Sequence, residues 1–285
     1  MLLVELLRPI RSGGYPIDYL LARLPTRRAG LLTSCPGGGG REARRELDRE
    51  LDWFHGQLEP VSRRQLAPVL LFFELPGLLA ALRFREAGDR SGVTACLKSS
   101  RLHRTIREIL GTEGSGPETL KELGRILASL NPSLAGLERF RRERGRAGLE
   151  QAIVSGLLSA ARREHPAGPI RDFLDQLAAR QDLLRQAKAE KWPGKVSLAW
   201  RTRQIHDRSQ HRFFGQPAWE DDPDTLDRRL LAVLARDWRR RSRTGGRLEQ
   251  LLDYLWTCYL VARDCGVRQL TELLGGERVA AEVIL

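Results

Sequence analysis

Apolar residues recur at helical spacing wherever a pattern is legible in this chain. Leu123, Ile126, Leu127 and Leu130 follow i, i+3, i+4, i+7, and Leu252, Leu255, Trp256, Tyr259 and Leu260 carry the same rhythm further. Each set predicts an amphipathic helix with one buried face. No run alternates as a half-buried strand requires. Val93 to Leu97 comes nearest, but it lies between Gly92 and a Ser99-Ser100 pair that reads as a helix cap. Start signals agree: Gly116-Pro117-Glu118, Asn131-Pro132, Gly168-Pro169 and Asp222-Pro223 each place proline after an N-cap and before an apolar-periodic run. The fold class is therefore expected to be all-α.

Breaks are expected at Cys35 to Gly40, Gly111 to Pro117 and Trp192 to Gly194, and Gln204 to Asp224 reads as a polar, irregular stretch laid over helices. With 285 residues, 41% of them hydrophobic and 29% charged, the chain has enough apolar material to fold without staples. Cys35, Cys96, Cys258 and Cys265 include no C-x-x-C pair, so a disulfide framework is not expected and a reducing compartment is. Uncharged runs such as Leu66 to Phe73 and Gln151 to Ala161 are shorter than the roughly 18 to 20 residues of a spanning helix, so no bilayer span is expected. Met1 to Val4 meets Glu5 at once and reads as the first turns of a helix rather than as a leader peptide.

The formal net charge of +12 points to an anionic partner of some kind. Only five basic residues are lysines (98, 121, 188, 191 and 195) and 43 are arginines, beside a single asparagine, Asn131. A GC-rich coding bias produces that skew without selection for a ligand, which lowers the weight of the charge as a sign of nucleic acid. The densest basic run, Arg236 through Arg243, encloses Trp238 and invites a reading of phosphate contacts with base stacking. Leu230, Leu231, Leu234 and Trp238, however, form one apolar stripe, so a core tryptophan beside a solvated basic face is the expectation.

Catalytic constellations are not found. The glycines at 37 to 40 lack the Gly-Lys-Ser/Thr ending of a phosphate loop, and no G-x-G-x-x-G follows a strand. His206 and His211 are five apart, so on a helix they point about 140° apart, and Arg203, Arg208 and Arg212 would repel a cation. His55, His103 and His165 are scattered singly. Cys258 and Cys265 read as buried small hydrophobes, and Glu220-Asp221-Asp222 with Asp224 as acids at a helix N-terminus. No catalytic residue, cofactor, metal or small-molecule substrate is expected.

A weak internal repetition remains. Asp18-Tyr19-Leu20, Asp172-Phe173-Leu174 and Asp253-Tyr254-Leu255 each open a helical pattern with an acid, an aromatic and a leucine. A second pattern recurs as Leu78-Leu79-Ala80-Ala81-Leu82-Arg83, Asp182-Leu183-Leu184-Arg185 and Val267-Arg268-Gln269-Leu270. Tyr15 to Leu32 resembles the N-terminal helix of the central-stalk socket protein of V/A-type (archaeal and vacuolar-type) rotary ATPases, with Pro25 as a departure. Phe72 to Arg85 resembles that family's recurring helix, with Gly77 and, in the second copy, Asp182 where an asparagine is usual. Ile170 to Lys188 is similar to the second copy, and Leu251 to Leu274, with Gly275-Gly276 and Val279 to Ile284, to the C-terminal copy and closing helix.

The resemblance implies three similar helical domains, 1–110, 111–195 and 196–285, around a pseudo-threefold axis in a funnel, with the chain's two ends packing together. It implies a non-enzymatic socket on the cytoplasmic face of the membrane's proteolipid ring. That socket would accept the central shaft during proton or sodium transport. Arg83, Arg85, Arg180 and Arg185 are then expected near the socket, facing acidic groups of the shaft or ring. A basic helical nucleic-acid-binding protein is the second reading.

Overall fold

The computed structural model describes residues 2–10, 13–34, 40–112, 116–191 and 223–273. Among these the chain is helical without strands, with isolated bridges only at Leu7 to Leu102 and Tyr15 to Leu58. The all-α expectation is met. The expected features at Trp192 to Gly194, His206, His211 and Glu220 to Asp222 lie outside the described residues, as does most of the glycine run.

Chain contacts divide the molecule into two compact units, each discontinuous in sequence. Unit 1 comprises Met1–Ile17 and Leu51–Arg171, and unit 2 comprises Asp18–Glu50 and Asp172–Leu285. The consecutive segments 1–110, 111–195 and 196–285 are a division of another kind and belong with the functional proposal below.

Unit 1 is built on α3 (Pro60–Glu86), which starts with proline at its first turn and buries residues nearly all round, from Ser62 and Leu66 to Ala81 and Leu82. Such a pattern marks a helix enclosed by others. An 18-residue window of α3 has a mean hydropathy of 1.7, enough by length and composition to cross a membrane, and 67% of it is buried inside the protein. In sequence its apolar run looks short because Glu74 interrupts it. That carboxylate is buried and accepts hydrogen bonds from Ser100 Oγ (2.8 Å) and the Arg101 amide (3.1 Å), and it pairs with the buried Arg101 guanidinium.

Against α3 pack a short 3-10 turn (Leu3–Leu6), α4 (Arg90–Lys98), α5 (Arg104–Gly111) and, beyond α6 (Gly116–Ala128), which packs on α5, α7 (Leu137–Glu164). Val93 to Leu97 is thus helix, started by Asp89, whose carboxylate accepts from the Gly92 amide. Ser99 and Ser100 do not cap the next helix. Ser99 ends α4, Ser100 turns to Glu74, and His103 caps α5 by accepting from the Thr105 amide through Nδ1. Asn131 does cap as expected, its Oδ1 accepting from the Ser133 amide ahead of a 3-10 turn, Pro132–Gly136. α7 is kinked at Gly145, where φ is 67° and ψ is −169°, a backbone region open in practice to glycine alone.

Unit 2 joins α1 (Ile17–Ser34), the first half of α2 (Gly40–Gln57), α8 (Pro169–Lys191), α9 (Pro223–Thr244) and α10 (Arg247–Leu273). Helix α1 continues through Pro25. The core gathers Leu20, Leu47, Phe173, Leu174, Leu177, Leu230, Leu234, Trp238, Leu252 and Trp256. Phe173 meets Trp238 and Trp256 edge-on at 5.3 and 5.9 Å, and Trp238 Nε1 donates to Gln176 Oε1 at 2.6 Å, so the buried indole is satisfied. Helices far apart in sequence, α1 and α10, meet in this unit. Arg28 reaches from α1 to Asp253 and Thr257, and the Tyr254 hydroxyl donates to Glu50 at 2.5 Å.

Candidate protein-interaction face

The three Asp-aromatic-Leu triplets all fall in unit 2 and are used alike. Each aspartate takes an arginine from a different helix: Asp18 from Arg247 at 2.8 Å, Asp172 from Arg241 at 2.8 Å and Asp253 from Arg28 at 3.0 Å. Each leucine, Leu20, Leu174 and Leu255, is buried. The aromatic rings of Phe173 and Tyr254 are buried too, while Tyr19 is stacked under the Arg23 guanidinium at 4.7 Å. The first two triplets lie in the first turns of α1 and α8, but Asp253 sits inside α10 rather than at its start. In all three the acid latches a neighbouring helix while the leucine, two residues on, enters the core.

Of the arginines singled out in sequence, Arg83 and Arg85 lie on α3 in unit 1, and Arg180 and Arg185 on α8 in unit 2. Arg83 Nε and Nη2 donate to both oxygens of Glu150 on α7, each at 2.6 Å, and those hydrogen bonds hold its pKa up. Arg85 donates to the Leu110 carbonyl at the C-terminal end of α5. Arg180 is buried and bonded to Asp227 of α9, which also takes Arg263 of α10 at 2.6 Å. Arg185 pairs with Asp182 one turn away at 3.3 Å. All four are engaged by groups of their own unit. Arg83 keeps about half its side chain exposed, whereas Arg180 serves as an internal strut.

The basic run of α9 is arranged differently. Trp238 is only 1% exposed, so the indole is core and cannot stack on a base. On the opposite side Arg236, Arg239 and Arg243 are exposed and form no ion pair with any described residue. Arg240, its side chain 78% exposed, pairs among the described residues with Asp237 alone, three residues back. The carboxylates Asp227 and Asp237 of α9 are taken up largely by groups off this row, Asp237 reaching it at Arg240. Asp227 holds Arg180 and Arg263, and Asp237 accepts from Gln176 at 2.8 Å and Arg241 at 2.9 Å. At 100° per residue, Arg236, Arg240 and Arg243 fall within about 60° of arc, while Asp227 and Asp237 lie toward the buried side. That angular separation follows from sequence spacing; what the two carboxylates bind does not. An open cleft of about 350 Å³ lies beside this row, lined by Gln176, Val233, Leu234, Arg236, Asp237, Arg240 and Arg241.

Strongly shifted titratable groups lie elsewhere, in the cores. His55, at the end of α2 in unit 1, is fully buried with neither ring nitrogen hydrogen-bonded. Burial, and then the nearby charges of Arg8, Arg63 and Arg101, push its pKa down to about 3. Burial pushes the Cys258 thiol up to about 12 and raises the Tyr254 phenol as well. None of the three lines the cleft. Among the described residues no group of three His, Cys, Asp or Glu side chains could hold a metal ion. Comparison with models of known protein families, with curated proteins and with solved structures finds no match.

Proposed function

We propose that this chain is a non-catalytic coupling component of a V/A-type rotary ATPase, seated on the cytoplasmic face of the proteolipid ring and receiving the foot of the central shaft. The observation that supports it most is the common use of the three Asp-aromatic-Leu triplets. The three copies share unit 2, and a helical block reused with one packing role is what a scaffold of similar helices needs. The likeness of Tyr15 to Leu32, Phe72 to Arg85, Ile170 to Lys188 and Leu251 to Leu274 to that family points the same way. In this reading the segments 1–110, 111–195 and 196–285 are three related domains about a pseudo-threefold axis, forming a funnel. Internal arginine–carboxylate struts such as Arg180 with Asp227 suit a body that must carry torque without deforming.

Co-expression of the chain with the shaft and proteolipid-ring proteins of a V/A-type ATPase tests the proposal. A stable complex that restores ATP-driven ion pumping to an enzyme lacking its own socket protein is the expected result. Failure to join either the shaft or the ring, with the chain folded, would overturn it. Nucleic-acid binding stays the second reading because of the arginine row on α9, although the burial of Trp238 removes its stacking residue.

A further inference from the structure

We infer that the outward side of α9 is a docking surface for an acidic protein helix. Among the described residues Arg236, Arg239 and Arg243 are exposed without an ion pair, and Arg240 pairs with Asp237 alone. In both units several arginines meet carboxylates across helices, as at Glu86, which takes both Arg141 and Arg146, and at Asp227, which takes Arg180 and Arg263. A row in which, among the described residues, Arg240 alone has an ion pair is a local excess of positive charge that a complementary surface would neutralise.

The spacing of the row and the lining of the cleft beside it select an acidic helix among anionic partners. Arg236, Arg240 and Arg243 lie at i, i+4 and i+7 and span about 10 Å along the axis, the spacing at which a second helix presents Glu or Asp one and two turns apart. The cleft beside them is floored by Leu234 and by Val233, which is 37% exposed, giving an apolar side chain of the partner a seat. The buried Trp238 offers nothing to a base. Phe84 and Tyr15 are the exposed large aromatics among the described residues and neither lies on α9, so this helix lacks the apolar wedge that an anionic membrane surface demands.

The inference stands apart from the rotary assignment, since it concerns the chemistry of one helix side and not the complex that supplies the partner. The test is fluorescence anisotropy on the full chain with three labelled probes at matched ionic strength. These are an amphipathic helical peptide with glutamates at i, i+4 and i+7 and leucines on the other side, the same peptide with glutamine for glutamate, and a DNA duplex of about 20 base pairs, long enough to present two turns of phosphate backbone. Vesicles containing phosphatidylserine are assayed by co-sedimentation. The glutamate peptide is expected to bind most tightly, the glutamine peptide to lose about tenfold or more, and affinity to fall as salt rises. Arg236→Glu with Arg243→Glu should lower its affinity about tenfold or more. The milder Arg236→Gln with Arg243→Gln should do so in part, with melting temperature unchanged in both because these side chains support nothing in the fold. Tighter binding of duplex or vesicles, equal binding of the two peptides, no binding at all, or indifference to the substitutions would each overturn the inference.

Discussion

His55 shows how much a single side chain can tie stability to pH. Its native pKa of about 3 lies below the ordinary value of 6.5, so between these values the unfolded chain holds a proton that the folded chain refuses. Stability is thus fully present above about pH 6.5 and drains away on acidification toward pH 3, at up to about 1.4 kcal/mol per pH unit. Replacing His55 by leucine should flatten this decline, and the variant should gain on the wild type steadily as the pH falls from neutral toward the native pKa. Denaturation curves at several pH values check it, and parallel decline of the two proteins would refute the assignment. At Arg180 the issue is charge burial. Arg180→Met leaves Asp227 in the interior with only Arg263, and should destabilise the protein by about 3 kcal/mol in urea titration. No local pattern announces this, because Asp227 is 47 residues away. The Asp182–Arg185 pair at i, i+3 is the kind of contact that spacing alone reveals.

At the scale of helices, periodicity carries most of the information. α6 and α10 bury Leu123, Leu127, Leu252, Leu255 and Trp256 as their 3.6-residue rhythm demands. Where sequence pattern and structure differ, a distant partner decides the outcome. Ser100 looks like a cap, yet Glu74 on α3 claims it, and the next helix is started by His103 instead. The enclosed character of α3 is hidden in the same way, since Glu74 breaks the apolar run and only Arg101 explains how a carboxylate is tolerated there. The α9 row lies between these cases. Its arc follows from the sequence, but that its acids are engaged largely elsewhere is known only from Arg180, Arg263 and Gln176. For α7, the bend depends on Gly145 alone. A Cβ there would meet open space, so Gly145→Ala isolates the backbone contribution and should cost about 2 kcal/mol, measured by chemical denaturation. An unchanged midpoint would mean that the bend is easily relaxed.

For the molecule as a whole, the proposed coupling role makes a demand on unit 1 that can be checked. If Arg83 and Arg85 face acidic groups of the shaft, reversing both charges should weaken shaft binding, and the loss should shrink as salt is added. Because Arg83 also braces Glu150, its reversal will lower stability as well. The Glu150→Gln variant separates the two effects, since it frees the brace while keeping the cation. Shaft binding that is intact at low salt in the double reversal would remove these arginines from the interface. Composition leans toward an anionic partner. It cannot say which of the 43 arginines are available, because availability is decided by the tertiary pairing of each one.

The way the chain is shared between its units has a consequence for its synthesis on the ribosome. The long stretch Leu51–Arg171 needs only the first 17 residues to complete it, so unit 1 can close early. Helix α1 emerges among the first segments but must wait for α10, whose Asp253 follows Arg28 by 225 residues, before that ion pair and the bond from Tyr254 to Glu50 can form. During that interval Leu20 and Leu24 have no core to enter. A nascent chain that closes unit 1 first would hold Leu20 and Leu24 of α1 in water until α10 arrives, a state open to chaperone capture.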